Sequence, residues 1–527
     1  MSKLAARIST KIYDTYTALA AGMIAMRSPG RAAGFRVHRG LYRSFVAGEA
    51  TGMDQNYRPR LRTADADIKR ANKLVVGRCR DQIQNNSYIS GGLERICNNV
   101  VRGGIMPQFR FRDKSGKLKK SDNKKWSGHF GRWNRYADIS GHDSYAALQK
   151  LGLRHMWSDG QFFIHRLYDD SIPGVVPLRL ELIEYDQLDR MIDGIMDNGN
   201  IARRGIELDP ATARPVAYHF LKSHPGDYIP TADRGTVRYL AADIIHVWDR
   251  KRISQFSGIS WFAAVVMEAY RMDEYRGIEQ DGARAAAIFA AFIKSAYNDF
   301  RIGPGTIPAG GQVSPDVPAP TGAKNAPTEM KSAVIQQLPT GTDITFASHN
   351  RPGNNYEPFV KDSLRSQSVG TGMSFEGFTN NYTDSSYASA RSGSLEERLG
   401  YKGQQSFIDE KVNWHVAAWF IEAAFLAGLA PAMPDYWRDP YRYHEMISSR
   451  TPGWQWVDER NATQAAEKRL ELIIDTRTGL NDERGQDFDD TVETRIEEEK
   501  ALQVLYAEMA KTQKLRMEAA GESETAD

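Results

Sequence analysis

The residue groupings that could do chemistry are few, and each is incomplete. Gly116-Lys117 offers the Gly-Lys pair of a phosphate-binding loop, but the upstream Gly and the following hydroxyl residue of G-x-x-x-x-G-K-[ST] are missing. The run Gly303-Pro304-Gly305 to Gly310-Gly311 has prolines where a phosphate cradle needs backbone N–H donors. His444-Glu445 lacks the second histidine of a zinc-binding helix, and His142-Asp143 and His165 are single histidines of the kind that most often fill structural roles. Asp169-Asp170 and Asp489-Asp490 are paired carboxylates better explained as a turn and a helix surface than as metal ligands. No G-x-S-x-G elbow is present. The Asn-x-Ser/Thr triplets at Asn85, Asn381 and Asn461 carry meaning only in a secreted chain. No catalytic residue, metal or cofactor is expected.

Composition points the same way. The chain has 527 residues, 41% apolar and 26% charged, which is a globular balance and long enough for about three to four structural units. Lys+Arg 69 against Asp+Glu 66 leave a net charge of +3, against a dedicated, strongly basic duplex binder. Cys79 and Cys97 cannot build a disulfide framework, so a reducing compartment is the simpler reading. Lys3, Arg7 and Lys11 before Ala18–Met26 loosely mimic a secretory signal, but Ile8, Ile12, Tyr16, Leu19 and Met23 are spaced as an amphipathic helix. The apolar stretch Val412–Met433 contains His415 and Glu422 and reads as a buried helix, so the chain is expected to be soluble, with no membrane contact.

The elements that must position any site follow from periodicity. Residues 1–62 carry eleven Lys/Arg against three acids and read as a helix and an irregular arm. Helices are expected over 63–102, broken at Asn85-Asn86-Ser87, with Asp65 or Asp67 as a cap, and over Asp122–Tyr136 and Ser144–Ser158. Strands are expected within Gly103–Arg112 and at Gln161–Tyr168, Leu178–Ile183, Ala217–Phe220 and Arg238–Leu240. The order is α+β, not alternating βαβ. From Ile259 a helix steps through Phe262, Val266, Ala269 and Met272 toward Tyr297, with a break near Gly277 or Gly282. Residues 303–328, punctuated by Pro304, Pro308, Pro315, Pro318, Pro320 and Pro327, read as an extended insertion. A polar helix opens at Pro358 and closes at Gly370 and Gly372. Lys361, Asp362, Ser363, Arg365, Ser366 and Gln367 surround only Val360, Leu364 and Val369, so it needs solvent on one side and partner chains beside it. A polar-aromatic loop, Met373–Ser386, leads into a long helix to about Gly428 that carries Ile408, Val412, Val416, Trp419, Ala423 and Leu426. Gly393, Gly400 and Gly403 in that helix mark a candidate kink. Helices are expected over 461–478, stopping at Gly479, and over 488–511. The strip 481–510 holds ten acids against three bases.

Several segments in a fixed order carry a resemblance. They are Arg78-Cys79-Arg80-Asp81 with Asn85-Asn86-Ser87-Tyr88 and Asn98–Ile105; His246–Arg250 with Gln255–Ser260; Leu338–Gly341 with Tyr356–Phe359; Gly370–Glu376 with Asn380–Arg391; and Trp454–Asp458 leading to Thr476–Leu480. Together they resemble the lambda-type portal proteins of tailed bacteriophages. The chain departs from the family's usual pattern at Asp458-Glu459 and at Ala388-Ser389-Ala390.

The resemblance implies a mainly helical α+β portal fold assembling into a closed homo-oligomeric ring, twelve-fold in the virion, at one capsid vertex. Double-stranded DNA passes through it without sequence readout, driven by the terminase large subunit. Head-completion or connector proteins dock on it, and major capsid and scaffold proteins surround it. It implies residence in the virion, and in the host cytoplasm during assembly.

Mapped onto this chain, 1–62 is an arm for which capsid or scaffold contact, DNA contact and disorder stand as alternatives. Residues 63–258 are the wing, 259–297 and 358–373 the stem helices, and 298–357 the clip. Residues 374–386 are the tunnel loop, 387–460 the kinked wing helix and return, 461–511 the crown, and 512–527 a disordered tail. The groups expected near DNA are Lys361, Arg365, Asn380, Asn381 and Tyr382, because basic side chains and amides can meet phosphate oxygens without reading bases. The alternative for the charges is ion pairing between subunits. Arg391 is a candidate brace for the loop. The competing classes are a DNA-processing or packaging enzyme and a capsid-wall subunit.

Overall fold

The computed structural model describes residues 61–524 except 114, 229–234, 288–290, 296–341, 347–355, 432, 434 and 457, with side chains to 512 other than those of 285–295 and 342–346. Nearly all of these fall in the second of two compact units, 64–527. The N-terminal arm and the Pro/Gly-rich insertion lie outside the described residues.

Helix α1 (Ala64–Asn85) buries Ile68, Asn72, Val76 and Cys79, spaced four, four and three apart as one helical face. Asp65 does not cap it: it lies inside the first turn and is drawn to Arg204, with Arg203 at 3.6 Å. The expected break holds, because the Asn86 side chain accepts from the N–H groups of Tyr88 and Ile89 and starts α2 (Ser87–Val100). Strand β1 (Met106–Phe109) precedes α3 (Lys120–Trp133) and α4 (Tyr145–Ser158). The expected strands β2 (Gln161–Tyr168) and β3 (Leu178–Ile183) follow. Three short strands escape the periodicity: β4 (Gly194–Ile195), β5 (Ile201–Arg203) and β6 (Ile206–Leu208). Then come β7 (Pro215–Leu221), β8 (Thr236–Leu240) and β9 (Ile244–Trp248). The sheets run β3-β2-β9 and β4-β5-β6-β7-β8, and every strand pair in them is antiparallel, as an α+β chain requires.

The helix expected from Ile259 begins seven residues later. α5 spans Val266–Ala287 and runs through Gly277 and Gly282 without a break. Residues Ala291–Ser295 are not its continuation but a strand, β10, pairing antiparallel with β11 (Thr342–Phe346), so the two strands close the base of the insertion. Next are α6 (Tyr356–Thr371), a short α7 (Phe375–Thr379) and α8 (Tyr387–Ile408). The irregularity in the long helix is not at its glycines. It is a single π-turn, Asp409–Asn413, before α9 (Trp414–Leu426). The buried Asn413 explains the extra residue: its amide donates to Ser449 Oγ (2.5 Å) and Asp409 Oδ1 (3.0 Å), and its oxygen accepts from the Tyr145 hydroxyl (3.1 Å). Leu426, expected on the buried face, is 62% exposed.

α10 (Pro440–His444) and β12 (Ile447–Arg450) return the chain, and β12 pairs antiparallel with β1. α11 (Glu459–Glu471) ends earlier than expected. Gly479 lies inside α12 (Arg477–Glu483), because the Thr476 hydroxyl accepts the Gly479 N–H and starts a new helix there. The last helix, α13, spans Phe488–Glu524, so 512–524 is helical backbone and not a structureless tail.

Two apolar clusters hold the unit together. The larger joins α2, α3, α4, α8 and α9, with Phe109, Trp126, Phe130 and Trp133 around Phe420 at ring-centre distances of 5.0–6.3 Å. The smaller lies between the sheets and contains Phe163, Tyr218 and Phe220.

The five-stranded sheet is pinned by one carboxylate. Glu207, fully buried, accepts from Arg238 (2.8 and 3.1 Å), Asn200 (2.5 Å), Asn198 (2.8 Å) and His219 (3.2 Å). These donors, Arg238 first, hold its carboxyl down to about 2 from an ordinary 4.5. The charged form is favoured by the fold, so its stabilisation is complete above pH 4.5 and is lost as pH falls from there toward 2. Allowing for the partly exposed Arg238, Glu207→Gln is expected to lower stability by roughly 2–3 kcal/mol at pH 7. In urea titrations the difference from the parent narrows below pH 4.5; a gap constant down to pH 3 would contradict the assignment.

Candidate nucleic-acid interface

The loop that sequence analysis marks for contact with DNA is built as an anchored half and an exposed half. α6 presents a mixed face to α5: Leu364, Gln367, Ser368 and Thr371 are buried, so the polar helix does have a side packed within its own chain. Gln367 approaches Met272 Sδ at 3.4 Å, the Ser366 hydroxyl donates to Glu268 (2.7 Å), and Tyr275 stacks on Tyr356 and meets Phe359 edge-on. The helix closes at Gly372 in the left-handed region, with Gly372 N–H to Val369 and Met373 N–H to Ser368, the paired bonds of a Schellman end.

Residues 374–379 are not loop, as expected, but the short α7, capped by the Ser374 hydroxyl and ended by Asn380 at φ 60°. Phe378 is buried beside Tyr88 and over Gly92, where a Cβ would come within 3.0 Å of its ring. Arg95 donates to the Gly377 carbonyl. Glu397 on α8 accepts from the Ser374 hydroxyl (3.2 Å) and from the Tyr401 hydroxyl (2.5 Å). Burial, then that bond, pushes the Tyr401 phenol well up. Arg95, Phe378 and Glu397 are the residues that sequence reasoning misses. Only the four-residue spacing of Glu397 and Tyr401 on one helix was open to it.

The expected site residues separate into two groups. Asn380, Asn381 and Tyr382 are exposed together at the tip, and Asn381 holds a local turn by accepting from Thr383 N–H (3.0 Å) and hydroxyl (2.6 Å). Lys361 and Arg365 are engaged from below. Lys361 pairs with Asp384, whose carboxyl it holds below the ordinary range with a smaller push from Arg365, and Arg365 lies over the Phe375 ring at 5.5 Å. Arg391, the candidate brace, makes no hydrogen bond or ion pair with the loop among the described residues. Its charge adds to the pull on Asp458, whose carboxyl is lowered chiefly by the Asn461 N–H.

Glu397→Ala removes both acceptor oxygens and leaves the Tyr401 hydroxyl unpaired, costing roughly 1–3 kcal/mol. Hydrogen exchange is expected to speed at least about tenfold over 374–379 while α4 keeps its protection. Unchanged exchange there would show that Phe378 alone anchors the loop.

Other chemistry-bearing groups are structurally occupied. Glu184, Asp186 and His224 converge closely enough to hold a cation, but the chain supplies one: Arg80 lies 2.6 Å from Asp186 and 3.5 Å from Glu184. The same guanidinium is bidentate to buried Asp159 at 2.8 and 2.6 Å. His165 meets Glu181 at 3.0 Å, Asp489 and Asp490 face Lys120 and Arg450, and Gly116 belongs to a turn closed by Asp113 and Lys117. No helix among the described residues is long and apolar enough to cross a membrane.

The tip is polar, solvent-facing and anchored from below by Phe378, Arg95 and Glu397. The sequence model of the lambda family of phage portal proteins matches residues 51–405, and the chain belongs to that family. Its relatives include the probable portal protein of Halomonas phage phiHAP-1, 26% identical over 85% of each chain. Portal protein B of Escherichia phage lambda is 20% identical, over 71% of this chain and 73% of its own. A chain from the neck of a native GTA particle computed with C12 symmetry superposes with a TM-score of 0.43 at 13% identity, covering 79% of this chain and 94% of that one.

Proposed function

We propose that copies of this chain close into a ring, twelve in the virion, at one capsid vertex. Double-stranded DNA enters through its centre, driven by terminase, and later leaves the same way. The observation that carries the reading is membership of the portal family together with the construction of loop 374–386. Its tip is exposed, its base is fixed by Phe378, Arg95 and Glu397, and its nearest cations are already matched by Asp384 and Phe375.

The physics favours such an arrangement. A conduit must not grip its cargo, and contacts neutralising six to ten phosphates would bind tightly in a salt-dependent way. A tip offering amides and one phenol, repeated around a ring, makes many weak equivalent contacts that smooth the path along the DNA axis. A closed ring joins one face of each subunit to its complement on the next. In this reading α5 and α6 are stem helices, the insertion between β10 and β11 faces terminase and then the head-completion protein, and the C-terminal helices form the crown. The chain is a conduit, not an enzyme.

Negative-stain imaging of the purified protein tests this. Top views should show rings with a central hole wide enough to pass a duplex. Shells would favour a capsid-wall subunit. Nucleotide hydrolysis by the purified chain would favour a packaging enzyme, and a chain that stays single under every assembly condition would overturn the proposal.

A further inference from the structure

The most basic stretch of the described chain is not at the loop. Residues 110–125 hold eight Lys/Arg and two Asp, in a chain whose whole net charge is +3. The turn bridged between Arg112 and Leu118 feeds directly into α3, and Arg110, Arg112, Lys120 and Lys124 line one groove. The structure sets the most acidic helix against it. Arg110 meets Asp487 (3.7 Å), Lys120 meets Asp489 (3.3 Å), Lys124 meets Glu493 (3.1 Å), and nearby Arg450 meets Asp490 (3.8 Å).

At Asp487 the contact is packed, its carboxylate also accepting from the Gln108 amide (2.8 Å), but beyond it the pairs are solvated. Between β1, α3 and the start of α13 lies an open groove of about 960 Å3, and Val492 and Ile496 stay 39% and 49% exposed on its wall. The side chains of the Lys120–Asp489 pair are 74% and 64% exposed, and those of Lys124–Glu493 72% and 57%. Pairs so solvated are held weakly and are screened by salt. Lys117 and Lys125 are exposed on the same segment and form no ion pair among the described residues.

We propose that the basic side chains Arg110, Arg112, Lys117, Lys120, Lys124 and Lys125 form a second binding surface, for the phosphate backbone of duplex DNA, and that the acidic start of α13 occupies it as a competitor that DNA displaces. A polyanion gains counterion release on replacing side-chain carboxylates, which a single helix turn of acids cannot match. The surface uses different residues from loop 374–386 and does not rest on ring closure: a single chain would show it.

The test is fluorescence anisotropy of a labelled random-sequence duplex with the full chain between 50 and 200 mM salt. Lys117→Glu with Lys125→Glu should weaken binding at least tenfold and reduce the log–log salt slope by about two. Asp489→Asn with Glu493→Gln should tighten it several-fold. Lys402→Glu, a charge reversal at an exposed lysine of α8, should leave it nearly unchanged. All the substituted side chains are exposed, and thermal melts check that each variant folds. Binding indifferent to the lysine reversals, or weakened as much by Lys402→Glu, overturns the surface; no gain on neutralising the acids overturns the closure by α13. Binding through Lys117 and Lys125 by a protein that forms no rings would uphold this inference while refuting the ring.

Discussion

Gly258→Ala is expected to deprive the protein of its fold. At this point the segment after β9 crosses the turn that enters β2. A Cβ on Gly258 would stand 1.9 Å from the Gly160 carbonyl oxygen and 2.7 Å from its carbon. Gly160 cannot give way. It sits at φ +82°, and a Cβ of its own would strike the Ile259 carbonyl carbon at 2.0 Å. The crossing is tied from both sides: Gln161 Oε1 accepts from Gly258 N–H (2.9 Å) and from half-buried His246 (3.0 Å), and the Ser260 hydroxyl donates to the Trp157 carbonyl (2.5 Å). Burial drives the His246 imidazole down to about 3, so it is neutral and available to donate to Gln161. Parting the strands breaks several of these bonds at once, a loss on the order of 4 kcal/mol or more, against a total stability of perhaps 5–15 kcal/mol for a typical domain. The variant should be largely insoluble, with any soluble fraction melting about 10 °C or more below the parent. Gly277→Ala is the control: it lies within α5 with nothing within 4 Å of an added Cβ, and should gain up to about 1 kcal/mol. Equal melting of Gly258→Ala and the parent would contradict the crossing geometry.

Phe420→Ala should cost roughly 3–5 kcal/mol. Its ring is fully buried, 5.0 Å from Phe130, 5.4 Å from Trp133, 6.1 Å from Phe109 and 6.3 Å from Trp126. No neighbour can collapse into the space without leaving another void, because the surrounding rings are flat, stiff and held elsewhere: Trp133, for one, donates its indole N–H to the Leu178 carbonyl (2.7 Å). Phe420→Leu should lose far less, since it keeps most of the volume. The quantity to measure is the denaturation midpoint followed by tryptophan fluorescence, to which Trp126 and Trp133 contribute among the chain's ten tryptophans. A shift under about 1 kcal/mol for the alanine variant would show that α9 is not locked to α3 through this ring.

Much of the fold could be read from local pattern. β2 and β3 stand at the residues expected for them, and α4 starts where Ser144 caps it. The misses share a cause. The helix expected from Ile259 starts late because Ser260, Trp261 and Phe262 are committed to the β2 crossing, and that obligation overrides helical spacing. The kink expected at the glycines of α8 falls instead at a π-turn, because Asn413 must reach Ser449 and Tyr145 together.

By itself the sequence determined the class of structure and the family, and it singled out Asn380, Asn381 and Tyr382, which the fold leaves exposed. Each rests on residue type and on spacing along a few turns of chain. Tertiary structure alone decided what holds that tip, since Arg95 reaches Gly377 across 282 residues of sequence, and it decided which charges are free. Lys361 and Arg365 read as open cations until Asp384 and Phe375 are placed beside them, and the basic run at 110–125 acquires its acidic cover only when α13 lies against it. Periodicity records which face of an element is turned inward. It carries no record of what meets that face, because the partner is chosen by the closure of the whole chain.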